Sequence, residues 1–161
     1  MEPGLSAAEP TTPIRVELSR ILIREMADMQ VVELRDVATG RSFPIVIGLP
    51  EAYAIERRLK GEEPERPQTH DLLDRVITEL GARLARVDII DLREGTFHAV
   101  LTLETAQGPV ALDCRPSDAL ALCADGRAEI WVAESVIERA SSGTTAQAFP
   151  FVADEDDDHD D

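Results

Sequence analysis

Three short stretches carry side chains that could do chemistry. They are Thr69-His70-Asp71, the run Asp88 to Glu94 leading into Gly95-Thr96-Phe97-His98, and Asp113-Cys114-Arg115-Pro116-Ser117-Asp118. Together they supply carboxylates, two histidines and arginines. The chain has no nucleophile elbow, phosphate-cradling glycine loop, dinucleotide fingerprint or metalloprotease helix. That inventory suits metal-assisted hydrolysis of phosphodiesters. Carboxylates hold Mg²⁺ or Mn²⁺, the metal activates water and stabilises the departing oxygen, and arginine offsets charge on the phosphorane. Each stretch also has a plainer explanation. Thr69 can cap a helix whose dipole Asp71 stabilises, and Arg115 with Asp118 can be a cap plus an ion pair.

The elements that must position these groups follow from periodicity. Ile14, Val16, Leu18, Ile21 and Ile23 alternate as a half-buried strand with an irregularity near Ser19. Met29 to Leu34 and Phe43 to Ile47 are strands joined by the turn Ala38-Thr39-Gly40-Arg41, and Pro44 marks an edge or a strand start. Pro50 opens a helix whose apolar positions Ala52, Ile55 and Leu59 follow helical spacing, closed by Gly61. After a linker from Glu62 to Gln68, Thr69 caps a helix whose Leu72, Leu73, Val76, Ile77 and Leu80 form one apolar face, ended by Gly81. Leu84 to Leu92 and Thr96 to Leu103 form a hairpin about Arg93-Glu94-Gly95. Val110 to Leu112 reads as a buried strand. Pro116 then opens a helix so apolar that it must be buried, with Gly126 as its stop. Ile130 to Val132 is a short strand, and Ser135 with Glu138 makes a capping box for a last helix.

A 67-residue offset aligns Glu51-Ala52-Tyr53-Ala54-Ile55 with Asp118-Ala119-Leu120-Ala121-Leu122, and the strands before them align too. One reading is a duplicated three-strand-plus-helix unit, giving an α+β fold with a mixed or antiparallel sheet or open barrel and helices packed on it. Glu51 and Asp118 would then sit at equivalent helix starts. The other reading is chance alignment of short alternating strands.

The chain has 161 residues, a hydrophobic fraction of 43% and a formal charge of -16. That suits one domain with a real core. Seven acids crowd the run Asp154 to Asp161. Such a block reads as a solvated tail that keeps the protein soluble or contacts a basic partner. The overall balance is not that of a protein that grips nucleic acid by charge alone. Residues Met1 to Pro13 read as a flexible lead-in without a signal peptide, residues 14–140 as the domain, and residues 141–161 as the acidic tail. No stretch is apolar for long enough to span a membrane. Cys114 and Cys123 read as buried thiols, which points to a reducing, cytoplasmic setting.

The segments Phe43-Pro-Ile-Val-Ile-Gly48, Pro50-Glu51-Ala52, Pro67-Gln-Thr-His-Asp-Leu-Leu73, Glu94-Gly-Thr-Phe97 and Arg115-Pro-Ser-Asp-Ala119 occur in order between Val16 and Ala140. With Ala54-Ile55 and Asp91-Leu92 they resemble the bifunctional nuclease domain. The resemblance implies a compact α+β domain that cleaves DNA and RNA and associates into oligomers. The residues matching the family motifs are Glu51, His70, Asp71, Asp91, Arg115, Ser117 and Asp118. On that basis Asp71, Asp91 and Asp118, with Glu51, are expected to hold a metal or position water. His70 is expected to be the general base, and Arg115 to contact phosphate. Ser117 and the basic group Arg57, Arg58 and Arg66 (with Lys60) are expected along a substrate path. His98 departs from the family pattern, which has tyrosine there. The alternative is a non-catalytic oligomeric binding or regulatory module, in which Arg115 and Asp118 are structural.

Overall fold

The computed structural model describes residues 12–141. Pro13 already belongs to the first strand. The rest of the expected lead-in but for Thr12, and the acidic run, lie outside the described residues. Strands β1 (Pro13–Leu22), β2 (Gln30–Asp36) and β3 (Ser42–Ile47) form an antiparallel meander followed by helix α1 (Leu49–Lys60). After α2 (Thr69–Glu79) the pattern returns as β4 (Arg83–Arg93), β5 (Thr96–Thr105) and β6 (Gly108–Cys114), followed by α3 (Pro116–Cys123). Strand β7 (Glu129–Ala133) and helix α4 (Glu134–Ser141) complete the order.

The seven strands among the described residues lie in one sheet, ordered β3-β2-β1-β7-β4-β5-β6. β7 runs antiparallel to β1 and parallel to β4, joining the two meanders. The sheet is open rather than closed into a barrel, and the fold is α+β. The first residues of α1 and α3, Leu49 and Pro116, keep the 67-residue offset. This is the arrangement a duplicated three-strand-plus-helix unit gives.

Alternation decides which strand face is buried. Val32 and Leu34 of β2, Phe43, Ile45 and Ile47 of β3, and Val87 and Ile89 of β4 point into one core. Helix α3 lies inside it, with Ala119 through Cys123 all buried, as its composition requires. The expected irregularity near Ser19 is a register shift between Leu18 and Arg20. A second shift, between Ile89 and Asp91, bends β4 just before its hairpin. That hairpin turns on Glu94 and Gly95, both with positive φ (49° and 78°), the two-residue turn that matches strand twist. Adding a Cβ at Gly95 meets no atom, so the backbone alone resists it. Gly95→Ala is therefore expected to cost about 1 kcal/mol, a fall of roughly 2–4 °C in Tm. A calorimetric scan checks it.

Three expectations change. Ser135 lies inside α4, which begins at Glu134, and does not cap it. Gln68, not Thr69, is the N-cap of α2: its backbone N–H donates to Asp71 Oδ2 at 2.9 Å in a reciprocal capping box. And β6 is an edge strand, not a buried one. Val110 and Leu112 are 41% and 42% exposed, because among the described residues no helix covers that end of the sheet. The apolar face of α2 is likewise uncovered, with only Ile77 buried. Periodicity reports that a face is apolar, not that anything lies against it.

Candidate active site

The first turns of α1, α2 and α3 meet at two side chains. Arg115 is the N-cap of α3, with extended backbone (φ -74°, ψ 141°). Its guanidinium folds back along the helix and donates from Nε to Asp118 Oδ2 and from Nη2 to Asp118 Oδ1, both at 2.8 Å. This is the two-point fork that carboxylates favour. Nη2 also donates to Glu51 Oε1 at 3.2 Å, so Arg115 ties the two pseudo-equivalent helix starts together. Glu51 has room to do this because Gly48 precedes α1. A Cβ at Gly48 would stand 2.4 Å from Glu51 Oε2.

Asp118 has a second partner. His70 Nε2, from the first turn of α2, lies 3.0 Å from Asp118 Oδ1. Burial pushes the Asp118 carboxyl up, but hydrogen bonds from Arg115 and His70 outweigh it and hold the group below the ordinary carboxylate value. The carboxylate holds Arg115 charged in turn.

Helix α2 is fixed in place by a network behind the site. Arg58 donates to Asp71 Oδ1 (3.4 Å), Asp74 Oδ2 (3.3 Å) and the His70 carbonyl (3.4 Å). Arg57 donates to Asp71 Oδ2 at 3.4 Å. Arg127, after α3, takes Asp74 with two bonds of 2.9 and 2.7 Å and also meets Asp125. Burial raises Asp71 and Asp74, yet these donors, with the Gln68 N–H for Asp71, bring both below their usual range.

Leu73 and Ile77 of α2, Thr96, Phe97 and His98 of β5, and Leu112 and Asp113 of β6 line a cleft of about 600 Å³. Arg115 and Asp118 stand on its wall. A cleft of this size, mostly apolar with a few polar groups at one place, is the usual form of a small-molecule or polymer-segment site.

The residues nominated from sequence thus divide. Glu51, His70, Arg115 and Asp118 converge. Asp71 is turned to Arg57 and Arg58, which are themselves occupied in helix-helix pairing rather than presented along a substrate path. Ser117 is buried under the first turn of α3, and Arg66 is exposed in the linker. Asp91 stays at the hairpin end of β4, paired with Arg93 and, from α4, Arg139 (2.9 Å), and it accepts the Leu92 N–H at 2.8 Å.

Arg93 first, against burial, and then Arg139 pull the Asp91 carboxyl down to about 2 from 3.8. Its ionised form therefore stabilises the fold fully above about 4, and that contribution is lost as pH falls toward about 2. Asp91→Asn is expected to flatten the dependence of Tm on pH in that window, as melts from pH 6 to 2 would record.

As folded, this donor set does not fit a divalent cation. Glu51 and Asp118 both point at Arg115, Asp71 and Asp91 are held by other arginines, and among the described residues no group of three or more His, Cys, Asp or Glu converges.

The bifunctional nuclease domain model matches residues 32–144. The chain belongs to that family. Two uncharacterised proteins of Mycobacterium tuberculosis, from strains CDC 1551 and H37Rv, are each 38% identical to it over 125 residues, covering 78% of this chain and 74% of theirs. The stretch matched to the bifunctional nuclease domain runs from β2 through α4 and holds the whole Glu51–His70–Arg115–Asp118 cluster. It stops short of the acidic run. Among the described residues no helix is long and apolar enough to cross a membrane.

Thr96, Phe97, His98 and Asp113 fall in the stretches singled out from sequence but were given no role there, and Asp74 with Arg127, the clamp on α2, was missed. For His98 the signal was present, a titratable residue directly after the Gly95-Thr96-Phe97 motif. For Asp74 and Arg127, 53 residues apart, no local pattern announces the pairing.

Proposed function

We propose that this protein is a nuclease that hydrolyses phosphodiester bonds of DNA and RNA without base specificity, with its chemistry at the Arg115–Asp118 wall of the cleft and at His70, which is bonded to Asp118. The observation that carries the reading is the shared carboxylate: one aspartate both orients a histidine and holds an arginine, in a member of the bifunctional nuclease family. Asp118 accepts from His70 Nε2, which leaves Nδ1 as the nitrogen that takes a proton from the attacking water. Asp118 then stabilises the imidazolium so formed, while the P–O bond opposite the attacking water breaks and the departing sugar oxygen takes its proton from solvent. Arg115 offers its remaining N–H donors to the phosphate oxygens as charge develops there. Phe97 and the leucines of the cleft supply apolar contact area that does not read base edges, in keeping with an absence of base preference.

The test is cleavage of end-labelled single- and double-stranded DNA and RNA by the purified protein, with Mg²⁺, with Mn²⁺ and with chelator. Cleavage of both polymers that co-elutes with the protein is the expected result. No cleavage of any substrate in any condition would overturn the proposal.

One observation favours a second reading. Arg115 is bonded to two carboxylates from two helices, as a purely structural bridge would be. In a non-catalytic module, Asp118→Asn would lower Tm and alter no rate.

A further inference from the structure

We propose that the cleft beside Arg115 and Asp118 holds one unstacked base of a single-stranded DNA or RNA, so that a duplex is cut only where a base can leave its stack. This rests on the nuclease reading and names the form of polymer the site takes. A duplex offers a protein its phosphates and groove edges, whereas a single strand also offers the faces of its bases. Charge and shape decide between them.

Gripping a duplex by its phosphates takes a surplus of lysine and arginine. This chain has the reverse. The seven acids of Asp154 to Asp161, with Glu2 and Glu9, account for nine of its 32 acids, so 23 acids face all 16 lysines and arginines within residues 12–141. Most of the arginines there are already committed to carboxylates. Phosphate contacts alone therefore hold nucleic acid weakly, and the remaining affinity has to come from the bases.

The cleft has the shape for that. Phe97 and Leu101 of β5, Leu112 of β6, Leu73 and Ile77 of α2 and Leu122 of α3 line one space of about 600 Å³, within the range that holds a small organic ligand. Leu73 and Leu112 are each 42% exposed, so the space opens to solvent. Apolar walls would strip water from a phosphate without replacing its hydrogen bonds. They suit the face of a planar base, which can stack on the Phe97 ring. Because they meet faces rather than edges, any base fits. Arg115 and Asp118 stand on the wall of the same space. A strand that sets a base among the leucines therefore brings the adjoining phosphate to the guanidinium. A base inside a duplex reaches such a pocket only by extrusion, which sacrifices its pairing and stacking.

The test compares one labelled oligonucleotide as a single strand, as a perfect duplex and as a duplex with one unpaired base. Cleavage is measured with the full wild-type chain, and binding in chelator with His70→Ala, since His70 does not line the cleft. The single strand is expected to be bound and cut roughly 10²-fold better than the perfect duplex, and the unpaired base to restore a cut beside it. Phe97→Leu keeps an apolar side chain without the ring, and Leu112→Gln alters an exposed residue without adding charge. Introduced into the binding protein, each is expected to weaken single-strand binding roughly tenfold with the circular dichroism spectrum unchanged. Ile90→Gln, exposed and outside the cleft, is expected to change neither. Equal treatment of single strand and duplex, or cleft variants that bind single strands as tightly as their parent, would overturn the proposal. The expected binding preferences without cleavage of any substrate would overturn the nuclease reading alone and leave the base site standing.

Discussion

Asp118→Asn is expected to slow phosphodiester cleavage by about 10²–10⁴-fold while moving Tm by only a few degrees. The amide keeps the size of the side chain but loses its charge. It no longer stabilises an imidazolium at His70, and it can present an N–H where His70 Nε2 now donates, which reverses the tautomer. Arg115 keeps Glu51 as a partner, so the junction between α1 and α3 persists. The carboxylate of Asp118 already sits below its ordinary range, so the wild type keeps it ionised through neutral and mildly acidic pH. Its contribution disappears only as pH falls through that lowered value. A rate and a melting curve on the same preparation check both halves. An unchanged rate with a large fall in Tm would instead be the signature of the structural bridge.

The largest stability effect is expected at Arg58. Its side chain is only 12% exposed and meets Asp71, Asp74, Asp125 and the His70 carbonyl. Arg58→Ala leaves two part-buried carboxylates short of a cation. Removing one partner of such a network costs about 3 kcal/mol, which for a domain of this size is roughly 6–12 °C in Tm. Cleavage should fall as well, because Arg58 holds the backbone that carries His70. Arg58→Lys is expected to recover only part of either loss, since an ammonium cannot reach these acceptors as a planar fork does. A change in Tm under about 2 °C for Arg58→Ala would show that Arg57 and Arg127 already suffice.

These effects also mark how far the sequence could be read. The two meanders, the buried α3, the helix starts at Pro50 and Pro116 and the turn at Gly95 were legible because each rests on a local rule: alternation, proline at a first turn, positive φ. The pairing of Glu51 with Asp118 was legible through the 67-residue offset. Arg115 as the group between them was not, because an offset relates positions and says nothing of which side chain reaches across. Asp71 and Asp91 share motifs with the site residues, yet each is neutralised by arginines that lie nearby only in the fold. Burial of the strand Val110 to Leu112 was overstated for the opposite reason, and the apolar face of α2, correctly read as apolar, is left open. Their apolar pattern is real, but their cover is not within the described residues.

The central claim is that His70 and Asp118 act as one unit on a phosphodiester. The direct measurement is a double-mutant cycle on single-turnover cleavage of a labelled oligonucleotide, using wild type, His70→Ala, Asp118→Asn and the double variant, each confirmed folded. Groups that act together do not contribute additively. Each single variant is expected to lose cleavage strongly, and the double variant to be no slower than the slower single. Losses that multiply, or single variants that cleave like wild type, would contradict the account.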